Sequence, residues 1–221
     1  MAKNTRDKII EAARVLFNRN GFGGVTTSEI AQTVGIADGN LWYHFKSKRA
    51  LLEAINQDFI RCSEERMAIN PGDGFILDEF IDFQIELAKE VRKFRFMYRD
   101  QADYGQHTPE LERELPRIYD RTIEQYRIFI LKMRDDGIIS ISPPDVEMLC
   151  HILVLIFRYG LEFMRESRIK LPGGTSPVAM SAQFQTLVLS RFMPHQYVEE
   201  FETLLLEKLS SPELSKELAY P

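Results

Sequence analysis

The sequence predicts an all-α protein in which a small N-terminal helical domain is followed by a larger helical bundle. Nearly every periodic segment of the 221 residues repeats its apolar residues at i, i+3 and i+4, the spacing of one helix face. No segment alternates apolar and polar residues in the manner of a half-buried strand. The cluster Asn-Pro-Gly-Asp-Gly at 70–74 breaks the helical pattern. We therefore expect one domain at 1–55, a linking helix to about residue 70, and a second domain at 71–221.

Capping signals divide the first sixty residues into four helices. The apolar face between Ile9 and Phe17 belongs to the first helix. Thr26 and Glu29 have the spacing of a capping box, in which each side chain satisfies the other residue's open backbone N–H, and they begin the second. We expect Asp38 to cap the third helix and Ser47 to cap the fourth.

The rest of the chain predicts further long helices. An apolar stripe runs from Ile76 to Phe94. Thr108-Pro109 begins another helix, which ends near Asp136-Gly137. Ser142-Pro143-Pro144 begins a third, and two more helical segments, separated at Pro194, run to about residue 209.

The composition is that of a folded globular protein. Hydrophobic residues make up 44% and charged residues 28%, which is enough apolar surface for real cores. The longest mostly apolar stretch, 149–157, is too short to span a bilayer, and the polar first residues lack the apolar core of a secretion signal. Cys62 and Cys150 have no metal-ligand spacing. We expect a cytoplasmic protein with no metal, cofactor or disulfide.

Charge is divided unevenly along the chain. Residues 1–60 hold eight Lys or Arg and six Asp or Glu, a net charge of +2, whereas the whole chain carries −5 and the remainder therefore −7. A mildly basic N-terminal region on an acidic body indicates that any contact with a nucleic acid belongs to the first sixty residues.

The segment 26–48, TTSEIAQTVGIADGNLWYHFKSK, carries the most specific motif. Ala31, Gly35 and Leu41 stand at offsets of four and ten, which supplies a small residue at a helix crossing, a glycine at the turn and an apolar anchor. These are the requirements of a helix-turn-helix, whose second helix enters the major groove of DNA. An ordinary helical hairpin that binds nothing would satisfy the same spacing.

The second helix of this motif has an unusual outward face. With Leu41 and Phe45 turned inward, Trp42, Tyr43 and His44 face solvent together, as on surfaces that pack against sugars, thymine methyl groups and phosphates. Side-chain amides such as that of Asn40 pair with adenine edges. Lys46 and Lys48 flank the next helix start, where open N–H groups already favour phosphate. The outward residues of the helix are Ala37, Asp38, Gly39, Asn40, Trp42, Tyr43 and His44.

Residues 5–55, above all GIADGNLWYHFKSKRALL, resemble the DNA-binding domain of TetR-type bacterial regulators. The resemblance implies a three-helix helix-turn-helix domain attached to a helical ligand-binding and dimerisation domain. It also implies a role for each matching residue: Thr26, Thr27 and Ser28 meet the backbone or flanking bases, Ala37 to Asn40 and Trp42 read the groove, and Tyr43, His44 and Lys48 grip phosphates. Trp42 stands where tyrosine is usual. FRFMYRD at 94–100 and the turn at 136–139 resemble a proteobacterial-type C-terminal domain of the same family.

The resemblance implies a twofold dimer that reads a palindrome in double-stranded DNA, with half-sites about 34–36 Å apart. The expected self-association surface is the helix at 145–168 together with Phe184, Leu187 and Val188 of a later helix. The first of these is apolar around more of its circumference than one core contact needs, and Gly160 permits close approach. A central buried helix of a monomer is the alternative.

The body of the chain is rich in aromatic residues, and the resemblance implies a ligand cavity between its helices. Candidate ligand-binding residues are Phe83, Phe96, Tyr98, Tyr104, Tyr126, Phe129 and Phe157, although their helical spacing is equally that of core residues. Arg95, Arg99, Asp103 and His107 cluster at a helix end, where they would either orient a polar ligand group or be solvated. The aromatic content favours an apolar or aromatic ligand.

These features predict a DNA-binding transcriptional regulator, a repressor released from its operator by a small molecule. A DNA-bound activator and a regulator controlled by a protein partner remain alternatives. A helical enzyme is the third, but the four histidines are scattered and no nucleophile or acid–base set is recognisable, so we expect no enzymatic activity.

Overall fold

The computed structural model describes residues 4–99, 108–167 and 177–214, and within them the regular structure is helical, without a strand. The helices are α1 (Thr5–Asn20), α2 (Thr27–Val34), α3 (Asp38–His44), α4 (Lys48–Met67), α5 (Ile76–Lys93), α6 (Arg95–Arg99), α7 (Pro109–Asp135), α8 (Pro143–Glu166), α9 (Pro177–Leu189) and α10 (His195–Leu209). A 3₁₀ turn, Ser190–Phe192, follows α9. This confirms the predicted all-α class.

The described residues form two compact units. Unit 1 contains those up to Glu64 and those from Lys93 to Arg117, and unit 2 contains 65–92 and those from Ile118 onwards. Residues 93–99 and 108–117, which are predicted from the sequence to belong to the second domain, therefore pack with the N-terminal region.

The core of unit 1 is built from the predicted apolar faces. Ile9 and Phe17 of α1 and Phe59 of α4 have no solvent exposure. The ring of Phe17 meets Phe22 at 5.2 Å and Phe96 of α6 at 5.3 Å, both edge to face. These contacts hold α6 within unit 1.

The capping box at the start of α2 is present as predicted. The backbone N–H of Glu29 donates to Thr26 Oγ1 at 3.2 Å, and that of Thr26 donates to Glu29 Oε2 at 2.6 Å. Both donations to the Glu29 carboxylate, from the backbone and the hydroxyl of Thr26, lower the pKa of Glu29. Ser47 caps α4, because its Oγ accepts from the backbone N–H of Ala50 at 3.0 Å.

The predicted cap of α3 is wrong. Ala37 is the N-cap residue, with φ −70° and ψ 148°, and α3 has no side-chain cap. Asp38 is the first helical residue, and its carboxylate instead accepts from the Ser28 hydroxyl at 2.6 Å. The cap must have extended backbone, so a one-residue shift in the helix start removes Asp38 from that role.

Unit 2 has an aromatic core between α5 and α7. The rings of Phe83 and Phe129 are stacked at 5.1 Å with an interplanar angle of 17°, and Tyr126 meets Phe83 at 5.0 Å. In the same unit α8 packs against α9. Gly160 of α8 permits this close packing, because a Cβ there would lie 2.7 Å from Ser181 Oγ. Its close approach is thus to its own chain, which is not the use that the sequence analysis expected.

A buried ion pair fixes the end of α4 inside unit 2. Arg66 Nε donates to Glu90 Oε2 at 2.8 Å, and both side chains are 3% exposed. The other guanidinium nitrogens donate to Gln125 Oε1 at 2.6 Å and Thr122 Oγ1 at 3.0 Å. The arginine thereby joins α4 to α5 and α7.

None of the described helices combines the length and the apolar sequence that a membrane span needs.

Candidate nucleic-acid interface

One face of α3 anchors it to unit 1 and the other lies in solvent. Leu41 and Phe45 are buried, whereas the side chains of Trp42 and Tyr43 are 41% and 75% exposed. An aromatic pair exposed on a seven-residue helix is unfavourable in water unless a partner covers it. The predicted inward side of α3 is confirmed, and so is the outward side except at His44, which is half-buried.

A tight turn sets α3 against α2. Gly35 adopts the left-handed conformation, φ 76° and ψ 34°, and its N–H donates to Gln32 O at 3.1 Å. The N–H of Ile36 donates to Ala31 O at 3.0 Å, and Ala31 itself is fully buried at the helix crossing. The left-handed geometry explains why glycine stands at this position. The turn and the packing of α1 on α2 and α2 on α3 together form a helix-turn-helix.

The start of α2 lies beside α3 and is partly occupied by its own contacts. Thr26 and Ser28 are exposed and Thr27 is half-buried. The Thr26 hydroxyl is engaged in the capping box, where it also donates to Glu29 Oε2 at 2.8 Å. The Ser28 hydroxyl joins α2 to α3 through Asp38. Ala37, Gly39 and Asn40 are exposed, so the start of α3 is accessible.

The lysines at the start of α4 differ in their surroundings. Lys46 is exposed. The Lys48 ammonium donates to the backbone carbonyl of Phe22 and lies 4.3 Å from the centroid of the Phe22 ring. Burial lowers the pKa of Lys48, and the nearby Glu29 carboxylate opposes that shift. Lys48 is therefore bound to the turn after α1. The Tyr43 ring meets the half-buried His44 edge to face at 5.4 Å.

Arg6 was missed by sequence reasoning. It is exposed near the start of α1, and its guanidinium carbon lies 5.1 Å from the ring centroid of Phe45, immediately after α3. This cation–π contact places a permanent positive charge beside the exposed helix. A lone arginine near a chain terminus gives no sequence signal of its own, because the contact depends on the path of α3.

The candidate ligand-binding residues that the structure describes are divided between the two units. Phe83, Tyr126 and Phe129 form the aromatic core of unit 2, and Phe157 is a buried residue of the same unit. Phe96 and Tyr98 belong to unit 1, where the Tyr98 ring meets Phe59 at 5.5 Å, and Tyr104 lies outside the described residues. Helical spacing indicated burial correctly but could not indicate the partner helix. Whether these residues line a ligand cavity stays a prediction.

Arg99 holds the end of α1. Its guanidinium donates to Asn18 O at 3.0 Å and Phe17 O at 3.1 Å, two carbonyls of the last turn of α1. Arg95 is buried, while Asp103 and His107 lie outside the described residues. The sequence left two alternatives for Arg99, orienting a polar ligand group or being solvated, and the structure gives it a structural role. Open carbonyls at a helix end attract a cation.

Unit 2 exposes an apolar face on α8 and α9. Met148, Leu155, Tyr159 and Phe163 of α8 are each more than half exposed, and Leu187 of α9 is 68% exposed. A groove of about 550 Å³ lies on this face, lined by Asp145, Met148, Leu149, Ile152, Leu187, Val188, Arg191 and Phe192. None of the seven candidate ligand residues lines it. These exposures argue against α8 as the central buried helix of a monomer.

The tight glycine turn and the solvent-facing α3 define a helix-turn-helix protein. The family model described as bacterial regulatory proteins, tetR family, matches residues 9–55, and the model described as bacterial transcriptional repressor matches 59–204. The chain belongs to the TetR family of bacterial regulators.

Individual relatives agree with this assignment. The tetracycline repressor protein class D of Escherichia coli is 30% identical over 145 residues, which cover 64% of this chain and 62% of that protein. A TetR-family transcriptional regulator from Marinobacter aquaeolei VT8 has the same fold, with a TM-score of 0.78 over 93% of this chain and 98% of the other at 22% identity. CprB from Streptomyces coelicolor, solved in complex with its operator, has a TM-score of 0.66 over 92% and 96% of the two chains at 24% identity.

Proposed function

We propose that the chain is a cytoplasmic transcriptional repressor that binds a palindromic operator as a homodimer and leaves it when a small apolar or aromatic ligand binds. The observation that carries the proposal is α3, a helix anchored on one side by Leu41 and Phe45 with Trp42 and Tyr43 in solvent on the other. A helix-turn-helix places a helix of this kind in the major groove. Under this proposal the chain catalyses no reaction.

The exposed residues divide into two groups by what they do at the DNA. Ala37, the N-cap of α3, and the α3 residues Asp38, Gly39, Asn40 and Trp42 reach base edges, with the Asn40 amide suited to an adenine. Tyr43, His44, Lys46 and the start of α2 from Thr26 to Ser28 contact sugar and phosphate and fix the orientation of the domain.

Two charged residues need separate treatment. Lys48 contributes to DNA binding in one of two ways. It holds the turn at Phe22 in place, or its ammonium leaves the Phe22 carbonyl and binds a phosphate of the DNA. Arg6 adds a phosphate contact beside α3, because its guanidinium is fixed over Phe45 and remains exposed.

The homodimer uses the apolar face of α8 and α9. This face groups large side chains that are more than half exposed, including Tyr159, Phe163 and Leu187. Contiguous apolar surface of this kind marks an interface. A twofold contact is self-complementary, so one such face is sufficient for both subunits.

The ligand releases the protein from DNA through a population shift between two arrangements of the helix-turn-helix domains. Segment 93–99 is the element that carries it. Asn18 of α1 donates to Lys93 O at 3.0 Å and accepts from the Phe96 N–H at 3.0 Å, and Phe59 of α4 meets Phe94 at 5.3 Å. The segment continues directly from α5, whose preceding residues belong to unit 2. A ligand that favours a displaced α5 would therefore move α1 and α4, and it must bind that state better to have any effect.

The proposal is tested by retardation of the DNA upstream of the protein's own gene, compared with a scrambled fragment, across a salt series. We expect preferential retardation of the upstream fragment and an affinity that falls steeply as salt rises. Equal retardation of the two fragments at every salt concentration would contradict a sequence-specific regulator.

A further inference from the structure

A buried polar cluster lies in the otherwise apolar core of unit 2. The Gln84 amide of α5 donates through Nε2 to Gln185 Oε1 of α9, and the Tyr126 hydroxyl of α7 donates to the same oxygen at 3.3 Å. Gln185 Nε2 in turn donates to the Leu153 carbonyl of α8 at 3.4 Å. Gln84 is 3% exposed, and Gln185 and Tyr126 are fully buried. Four helices thus converge on a single side-chain amide.

Two polar atoms at this place are unsatisfied. Within the described part of the chain, Gln84 Oε1 and Ser181 Oγ have no hydrogen-bond partner although both are shielded from solvent. Ser181 precedes Gln185 by one turn of α9 and lies on the same face. Buried polar atoms nearly always have a hydrogen-bond partner. A buried polar atom without one requires an explanation, such as a ligand that binds there. We call Gln84, Tyr126, Ser181 and Gln185 the Gln84 cluster.

The surroundings of the Gln84 cluster are aromatic. Tyr126 meets Phe83 at 5.0 Å and Phe80 at 6.0 Å. The four side chains of the cluster are neutral, and burial raises the pKa of the Tyr126 phenol so that it stays protonated. The positive charge of the Arg66 guanidinium opposes this shift, and Arg66 is already paired with Glu90.

We infer that the Gln84 cluster binds the polar group of the effector, and that the effector is a neutral ring compound with a hydroxyl or N–H donor. The inference rests on the proposed function, which requires an effector. Gln84 Oε1 can only accept, so the ligand must donate to it, while Ser181 Oγ can do either. The phenyl rings of Phe80 and Phe83 receive the ring of the ligand. A carboxylate would meet an acceptor oxygen and no free cation in the cluster, so acids are excluded.

Ligand entry also explains how the signal leaves the site. The hydrogen bond between Gln84 and Gln185 joins α5 to α9. A ligand that donates to Gln84 and inserts its ring beside Phe83 must separate these two helices. Displacement of α5 then reaches Lys93, the last residue of that helix, whose carbonyl is bound by Asn18 and by Arg14 Nη1 at 2.6 Å.

The inference is tested by calorimetric titration of the full chain, without DNA, with three probes of one ring size: 2-naphthol, 2-methoxynaphthalene and 2-naphthoate. We expect naphthol to bind roughly tenfold or more tightly than its methyl ether, because the ether cannot donate to Gln84. We expect the naphthoate anion to bind more weakly than either. Equal affinity for naphthol and its ether, preference for the anion, or no binding of any probe would overturn the inference.

Two variants locate the preference. Gln84→Met keeps the side-chain length and removes the acceptor, and Ser181→Ala removes the hydroxyl. We expect each to reduce the naphthol preference, with Gln84→Met abolishing it. Thr186→Val is the matched control, since this buried hydroxyl donates to Ala182 O of its own helix at 3.0 Å and lies outside the cluster. A preference that persists in both variants would assign naphthol to another site.

The outcome is separable from that of the proposed function. Wild-type protein that selects naphthol yet retards no DNA would support the Gln84 cluster and contradict the repressor. Wild-type protein that retards its upstream DNA but does not distinguish the probes would do the reverse.

Discussion

Leu41 and Phe45 hold α3 against unit 1, and this leaves Trp42 and Tyr43 in solvent. Burying a large apolar side chain contributes about 1.5–3 kcal/mol, so the two anchors determine which side of α3 faces inward. The polar side chains of the outward face, such as Asn40 on the first turn of α3, are thereby left accessible.

Under the proposed function, Asn40 contacts a base and Lys46 contacts a phosphate, so variants of the two should differ. Asn40→Ala should relax the preference at one base pair by about 1–3 kcal/mol and leave affinity for other sequences nearly unchanged. Lys46→Ala should weaken binding to all duplexes and reduce the slope of log affinity against log salt by about one. Competition binding on a set of single-base operator variants measures both. Uniform loss of affinity in Asn40→Ala would rule out a base contact.

At this scale the sequence predicts orientation better than contacts. The i, i+3, i+4 pattern identified Leu41 and Phe45 as buried, because periodicity depends on nothing but the helix itself. It did not identify the Phe22 carbonyl as the partner of Lys48 or Asp38 as the acceptor for Ser28. Those contacts depend on where two other segments pass, and a one-residue change in the start of α3 was sufficient to alter the role of Asp38.

At the scale of elements, α4 runs from the helix-turn-helix to the buried arginine of unit 2. Its first residues belong to unit 1, and its last turn contains Arg66, fixed by Glu90, Gln125 and Thr122. A guanidinium buried with all these partners holds its helix in one position, since any shift would leave a charge unpaired.

Glu90→Gln should therefore destabilise the chain strongly. The variant leaves the Arg66 charge buried without its counter-ion, and breaking a buried pair in this way costs about 3–5 kcal/mol. Glu53→Gln is the matched control. Glu53 forms an ion pair with Arg49 in which both side chains are more than half exposed, and exposed ion pairs contribute about 0–1 kcal/mol. Urea unfolding followed by circular dichroism measures the difference. Equal unfolding midpoints for the two variants would contradict the conclusion that the buried pair of Arg66 and Glu90 stabilises the fold.

Element prediction succeeded for the long helices and failed for the assignment of α6. The helix starts at Pro109 and Pro143 and the break at Pro194 are where capping and proline rules place them. The short α6 carries Phe96 and Tyr98, whose burial was predictable but whose packing against α1 and α4 was not. A five-residue helix has too few positions for its sequence to specify the element that it packs against.

At the scale of the whole molecule, self-association should depend on the apolar face of α8 and α9. Leu187→Glu places a charge in that face and should convert dimers to monomers, because an unpaired charge at an interface core is strongly unfavourable. Leu206→Glu is the matched control, since Leu206 of α10 is also exposed, at 58% against 68% for Leu187. Sedimentation velocity distinguishes the two. Dimers of Leu187→Glu with unchanged affinity would remove this face as the interface.

The division of the chain into two units was only partly predictable. The helix break at 70–74 was visible from its proline and two glycines, but it lies inside unit 2 and does not separate the two units. The packing of 93–99 with the N-terminal region was not visible, because it arises from tertiary contacts such as those of Asn18. The exposed side of α3 was the best-predicted feature, since it depends on a local motif of some twenty residues.

The most direct measurement uses the chain's single tryptophan, Trp42, which lies on α3. Duplexes are selected from a random pool by the full chain, and acrylamide quenching of Trp42 fluorescence is then recorded with the selected duplex, with a scrambled duplex, and without DNA. We expect one palindromic sequence to be enriched and Trp42 to be strongly protected by that duplex alone. No enriched sequence, or a Trp42 as open to quenching at saturating DNA as in the free protein, would contradict insertion of α3 into the groove.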